Sequence, residues 1–201
     1  AAFFFPFTLV LFSFLIYIGY HLAYWQKVYP GVTVLGYSVG NQNKKTASET
    51  VAKIISEASP SATLTLKAEG QTWHLELADF AYQSEETVEK AWQIGRDSHA
   101  LQNLQEKIIA WSRGIDLALE YSLDEEILKQ QINQVADQIF TPAIEPTIKL
   151  TEQEEIEIEK GEGGLMLNKR RLAKEIGFRL AHLDFDPIDL PLIRISPQLT
   201  E

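Results

Sequence analysis

The stretch from Tyr121 to Ile195 constrains this chain most, because it spells out a compact unit element by element. Leu128, Ile132, Val135 and Ile139 recur at helical spacing and predict an amphipathic helix from Ser122 to Phe140. Ser122-Leu123-Asp124-Glu125 has the form of a capping box at its start. Pro142 and Pro146 bracket its exit. Thr147 to Leu150 and Glu155 to Glu159 predict two short strands, the second with isoleucines on one face and glutamates on the other. Gly161-Glu162-Gly163-Gly164 reads as a tight loop. Asn168 caps a helix to about Leu183, with Leu172, Ile176 and Leu180 inward, and Leu190 to Ile195 is a last strand. The economical packing lays both helices on one face of an antiparallel sheet, with Ile148, Leu150, Ile156 and Ile158 inward.

The first half runs in the same order. Val32 to Leu35 predicts a strand after Pro30-Gly31. Thr46-Ala47-Ser48-Glu49 has capping-box form, and the helix behind it turns Val51, Ile54, Ile55 and Ala58 to one side. Ala62 to Leu66 and Thr72 to Leu77 alternate across Glu69-Gly70, which predicts a hairpin. Ser84 opens a helix with Val88, Ala91 and Trp92 inward, and a further helix holds Leu101, Leu104, Ile108 and Trp111. Val88 corresponds to Leu172 and Trp92 to Ile176 at one offset, which suggests two related units in tandem. The expected fold class is α+β: an N-terminal transmembrane helix (1–27), then two related units of antiparallel sheet with helices on one face (28–117 and 118–198).

Residues 1–26 contain no Asp, Glu, Lys or Arg. The run Phe3 to Trp25 has the length of a membrane-spanning helix, and Tyr17, Tyr20, Tyr24 and Trp25 cluster at its far end as an interfacial belt would. A cleaved leader would need small residues at the cut, and cutting after Ala23 puts His21 where one is wanted. The expectation is an uncleaved single-pass anchor in the cell membrane, with the lipid bilayer as partner of residues 3–25 and residues 28–201 on the extracytoplasmic side. Ala1 is not a methionine, so the true start is expected to lie upstream.

The net charge of −10 argues against nucleic-acid binding, which needs a basic face to neutralise phosphates. The chain has no cysteine, hence no disulfide, thiolate zinc site or cysteine nucleophile. His21, His74, His99 and His182 do not fall at metal-ligand spacing, and there is no G-x-S-x-G elbow. His182, Asp184, Asp186 and Asp189 form a polar cluster better explained by a turn at Pro187 than by calcium. No enzyme, cofactor or metal is expected.

Several segments together resemble the YoaR-like peptidoglycan-binding domain that precedes VanW domains. They are Tyr29-Pro30-Gly31-Val32, Gly36 to Gly40, Gln71-Thr72-Trp73, Tyr121-Ser122-Leu123-Asp124-Glu125-Glu126 and Glu159-Lys160-Gly161-Glu162-Gly163-Gly164. The resemblance covers nearly all of residues 28–197. It implies a non-catalytic module that binds or positions its protein at peptidoglycan, expected here as membrane-anchored and at the cell surface. It also implies that a VanW or catalytic domain would begin near Ser196-Pro197. The alternative is a structural spacer or dimerisation module without a ligand, carrying a VanW or L,D-transpeptidase domain. Candidate ligand residues are Gly161, Gly163 and Gly164, whose amides could meet a carboxylate or sugar hydroxyl, and Trp73, whose ring could stack on a sugar. Leu165-Met166-Leu167 departs from the polar residues common there.

Overall fold

The computed structural model describes residues 12, 15, 18–20, 22–58, 60–97, 99–150 and 156–197, the side chains of 149, 150 and 156–158 excepted. The chain forms two compact units that are not consecutive blocks of sequence. The first takes residues 1–59 and 82–121, the second residues 60–81 and 122–201.

The first unit begins with β1 (Val32–Val34) and β2 (Tyr37–Ser38), an antiparallel pair closed by Leu35 and Gly36, both at positive φ. That conformation matches the twist of the flanking strands. Helix α1 (Lys44–Ala58) follows and buries Ala47, Val51 and Ile54. Its cap is Asn43, whose Oδ1 accepts from the Thr46 amide at 2.9 Å, so the helix starts ahead of the expected Thr46 box. The chain then crosses to the second unit through β3 (Thr63–Ala68) and β4 (Gln71–Glu76). It returns at β5 (Ala81–Tyr82) to helices α2 (Ser84–Gln93) and α3 (Ala100–Ser112) and strand β6 (Ile115–Leu117). β6 lies parallel to β1, with Val32 opposite Ile115. Helix α2 buries Val88 and Ala91 together with Thr87, the one buried polar side chain among the described residues. The Thr87 hydroxyl donates to the Gln83 carbonyl and accepts from the Glu120 amide, both at 2.9 Å, so its burial leaves nothing unpaired.

Helix α3 holds Leu101, Leu104, Ile108 and Trp111 as expected but does not bury them. Leu101 and Trp111 are 78% and 79% exposed, and Leu104 and Ile108 are exposed as well. The inward face runs instead through Asn103, Glu106, Lys107 and Ala110. Asn103 pairs with both the amide and the carbonyl of Asp97 at 2.7 Å, and Glu106 accepts from the Gly95 amide at 2.6 Å. At Ala110 the helix backbone closes on Gly31, where an added Cβ would stand 1.8 Å from the Ala110 oxygen. Hydrogen bonds and this close approach, rather than apolar periodicity, fix the rotation of the helix.

The second unit starts with the β3–β4 hairpin, in register from Thr63 opposite Glu76 to Ala68 opposite Gln71. After β7 (Tyr121–Ser122) comes α4 (Glu125–Ile139), which buries Ile132, Val135 and Ala136. Its cap is Asp124, which accepts from the Ile127 amide at 2.9 Å, two residues past the expected Ser122. Strands β8 (Thr147–Leu150) and β9 (Ile156–Glu159) pair antiparallel. Strand β10 (Gly164–Leu167), of which the sequence assigns only Gly164, and that to a loop, pairs with β12 (Leu192–Ile195). Helix α5 (Lys169–Ala181) buries Leu172, Ile176 and Leu180 and is capped by Asn168 as expected. Strand β11 (Ile188–Asp189) runs parallel to β3.

Two expectations are therefore corrected. The fold is α+β, but its sheets are small, open and mixed rather than antiparallel layers under two helices; β1–β6 and β3–β11 are parallel because long connections bring each pair together. Ile148, expected inward, is 74% exposed, and the side chains of Leu150, Ile156 and Ile158 lie outside the described residues. The transmembrane span expected over residues 3–25 is not found in the structure: among the described residues no helix is long and apolar enough to cross a membrane. Most of that run lies outside the described residues. Its aromatic end, expected at a lipid interface, packs on the first unit. The Tyr20 and Tyr24 rings each lie 5.7 Å from that of Tyr29, and the Tyr24 hydroxyl donates to Asn41 at 3.1 Å. The bilayer as partner and the single-pass membrane location rested on that span and are not carried further.

Candidate functional site

The expected candidates lie in the second unit and do not converge. Gly161 and Gly164 sit where backbone approaches backbone. A Cβ on Gly161 would meet the Ile144 oxygen at 2.7 Å, and one on Gly164 the Thr141 oxygen at 2.4 Å. The Glu162 amide donates to the Ile144 carbonyl at 3.0 Å and the Leu165 amide to Thr141 at 2.8 Å. These amides join the loop to the Thr141–Pro146 segment. Gly163 is open to a side chain. Trp73 is half-buried beside Leu75 and Leu77, and its Nε1 donates to Gln138 of α4 at 2.8 Å.

The remaining polar candidates hold the fold together. Arg179 donates to Glu175 at 2.8 Å and to Asp184 at 2.9 Å, and Asp184 accepts from the Asp186 amide at 3.0 Å. The cluster near Pro187 thus surrounds a guanidinium. Hydrogen bonding to Glu175 pushes the Arg179 pKa up. Lys169, in the first turn of α5, donates to Asn133 at 2.8 Å.

A denser arrangement occurs in the first unit, at residues that the sequence does not place together. Gly95, at φ +70°, ends α2 and folds Arg96 back over the last turn of the helix. Its guanidinium donates to the carbonyls of Tyr24 at 2.6 Å, Lys27 at 2.7 Å and Trp92. It lies 4.3 Å from the Tyr29 ring centroid and 4.4 Å from that of Trp92. Burial lowers the Arg96 pKa, and Tyr29 and Tyr20 oppose this; the guanidinium stays charged. Lys44 sits 3.9 Å over the Trp92 ring and pairs with Glu89 at 2.5 Å. That hydrogen bond holds the Glu89 carboxyl below the usual range. Trp92 was expected as core like its counterpart Ile176. It is half-buried between cations, and its buried Nε1 has no acceptor among the described residues.

Beside this cluster a shallow cleft of about 470 Å³ is lined by Trp25, Gln26, Asn43, Lys44, Lys45 and Trp92. A smaller one of about 180 Å³, lined by Tyr24, Trp25, Tyr29, Trp92 and Arg96, shares both tryptophans. Two signals in the sequence mark the place: paired lysines opening a helix with no acid in its first turn, and Gly95-Arg96 just past a helix whose penultimate residue is Trp92.

A family model described as Putative peptidoglycan binding domain matches residues 73–189, more than half of the chain. No curated protein and no solved structure matches it.

Proposed function

Because the chain belongs to this family of peptidoglycan-binding domains, we propose that it is a spacing and binding module that works against peptidoglycan through its surface. The module is non-catalytic, as the family is. Among the described residues no group of three His, Asp or Glu side chains could hold a metal ion, and the sequence offers no cysteine nucleophile. The carrying observation is the extent of the family match, which runs from the β4 strand through α2 to β11 and so takes in parts of both units. The membrane-anchored form of this reading is not retained, since no helix among the described residues is long and apolar enough to supply the anchor.

A second reading is a spacer without a ligand of its own, setting the distance of a neighbouring VanW or L,D-transpeptidase domain. The glycine loop supports it, because the Glu162 and Leu165 amides that flank Gly163-Gly164 bond within the chain and draw the loop onto the Thr141–Pro146 segment. Co-sedimentation separates the two. Purified cell-wall sacculi are incubated with the 201-residue chain and pelleted beside a control protein of equal net charge. Retention above the control is expected; retention no better than the control refutes binding and leaves the spacer.

A further inference from the structure

The cleft beside Trp92 has an unusual lining for this chain. The protein carries a net charge of −10, yet the six residues around the cleft include two indoles, two amides and two ammonium groups, and no carboxylate. Glu49, Glu85 and Glu89 line a different cleft, with Ser48 and Val88, which shares the same two lysines. The charge on the Trp25 side is therefore local and positive within an acidic molecule.

Each lining group matches a part of one kind of ligand. Trp25 is 70% exposed and keeps an indole face available, which suits the apolar face of a pyranose. Asn43 spends its Oδ1 on capping α1, which leaves its NH₂ to donate. Gln26 adds a second amide, and amides pair with acetamido groups. Lys44 shares its charge with Glu89, whereas Lys45 is exposed and has no ion pair among the described residues. An ammonium of that kind makes charge-assisted hydrogen bonds to a carboxylate. The buried Nε1 of Trp92 is a donor still lacking its acceptor. Stable proteins rarely bury such a donor unpaired. The clamp that holds Trp92 in place, Arg96 bonded to three carbonyls with Lys44 over the ring, keeps the wall of the cleft rigid without filling it.

We propose that this cleft is a subsite for a carboxylate-bearing acetamido sugar, the chemistry of a muramyl-peptide unit. The pyranose lies on Trp25, the acetamido group meets Gln26 and Asn43, and the carboxylate meets Lys45 and Lys44. The assignment rests on the peptidoglycan reading above and adds to it the place and the group recognised.

The test uses the full chain, its Trp25→Ala, Lys45→Glu and Lys45→Arg variants, and two preparations of sacculi, one native and one with its carboxylates amidated by carbodiimide. Trp25 and Lys45 are exposed, so unfolding midpoints within about 2 °C of the parent are expected and are checked first. With native sacculi, Trp25→Ala and Lys45→Glu should each lose about tenfold in retention, the order of one charge-assisted or stacking contact, and Lys45→Arg should keep it. Amidated sacculi should bind the parent chain about as weakly as native sacculi bind Lys45→Glu. Parent chain retained, with both variants retained equally, overturns the subsite and leaves the family reading standing. Parent chain not retained on native sacculi overturns the family reading and the subsite together.

Discussion

Replacing Gly31 by alanine should unseat α3, and Gly36→Ala supplies its internal control. Both glycines have φ near +80°, so an alanine at either meets the left-handed backbone penalty of about 1–2 kcal/mol. A smaller flexibility of the unfolded chain returns about 0.4–1 kcal/mol of that at both sites. Around Gly36 a new Cβ meets nothing within 4 Å, so the net loss there should be about 1 kcal/mol or less. At Gly31 the Cβ stands 1.8 Å from the Ala110 oxygen and 2.7 Å from its carbonyl carbon. Both are backbone atoms, and no rotamer relieves them. The end of the helix must retreat by more than 1 Å, which adds about 1–3 kcal/mol of overpacking. The total for Gly31→Ala is then about 2–4 kcal/mol. Retreat also loosens the Ile115 amide, which donates to the Gly31 carbonyl at 3.0 Å, and the Gly114 amide, which donates to Ala110 at 3.2 Å. Amide hydrogen exchange read by mass spectrometry on peptides covering residues 100–117 is the assay, because it reports the first unit separately. Gly31→Ala should speed exchange there by more than tenfold over Gly36→Ala, in line with about 1.4 kcal/mol per factor of ten. Equal acceleration in the two variants would refute the backbone docking of α3 at Gly31.

Three further outcomes are expected. Ile132→Ala, at 4% exposure in the core of the second unit, should cost about 2–5 kcal/mol in urea unfolding, while Ile148→Ala on the exposed strand should change it by less than about 0.5 kcal/mol. Thr87→Val keeps the shape of the side chain but leaves the Glu120 amide without its acceptor, and should cost about 1–3 kcal/mol, with Thr87→Ser recovering most of it. The Glu89 pKa is depressed by Lys44, so the pair stabilises the fold above the ordinary glutamate pKa and ceases to as the pH falls through the lowered value; both side chains are over 40% exposed, so the effect should stay below about 1 kcal/mol, and Glu89→Gln should remove that part of the acid dependence in melts taken across the pH range.

What could be read in advance was what short-range chemistry decides. The Asn168 cap, the hairpin across Glu69-Gly70 and the stripe of Leu172, Ile176 and Leu180 all lie within a turn or two of the residues that specify them. The rotation of α3 was not legible, because its inward face is Asn103, Glu106, Lys107 and Ala110 and the partners of that face, Gly31 beside β1 and Gly95 and Asp97 in the preceding loop, leave no apolar pattern on the helix. Neither were the parallel pairings: alternation says that Leu64 and Leu66 share a face, not that Ile188 will lie beside Leu66. The candidate cleft fails to show for the same reason. Trp25, Lys44 and Trp92 come from three distant segments, and the offset that equated Trp92 with Ile176 pointed towards core.

The interleaving of the two units sets a timetable for synthesis. Leu66 finds its parallel partner Ile188 only after 122 further residues have been made. At about 5–20 residues per second, strand β3 waits roughly 6–24 s with one edge unpaired. The first unit can close once residue 121 is out, while the hairpin already threaded from it must stay open for the remainder of translation. Lys67, near the end of β3, lies in the stretch that β11 later covers, between residues 66 and 67 and 188 and 189. A charge there deters pairing with another chain during the wait. Slowing translation within residues 122–188 lengthens that exposure; slowing it before residue 60 does not.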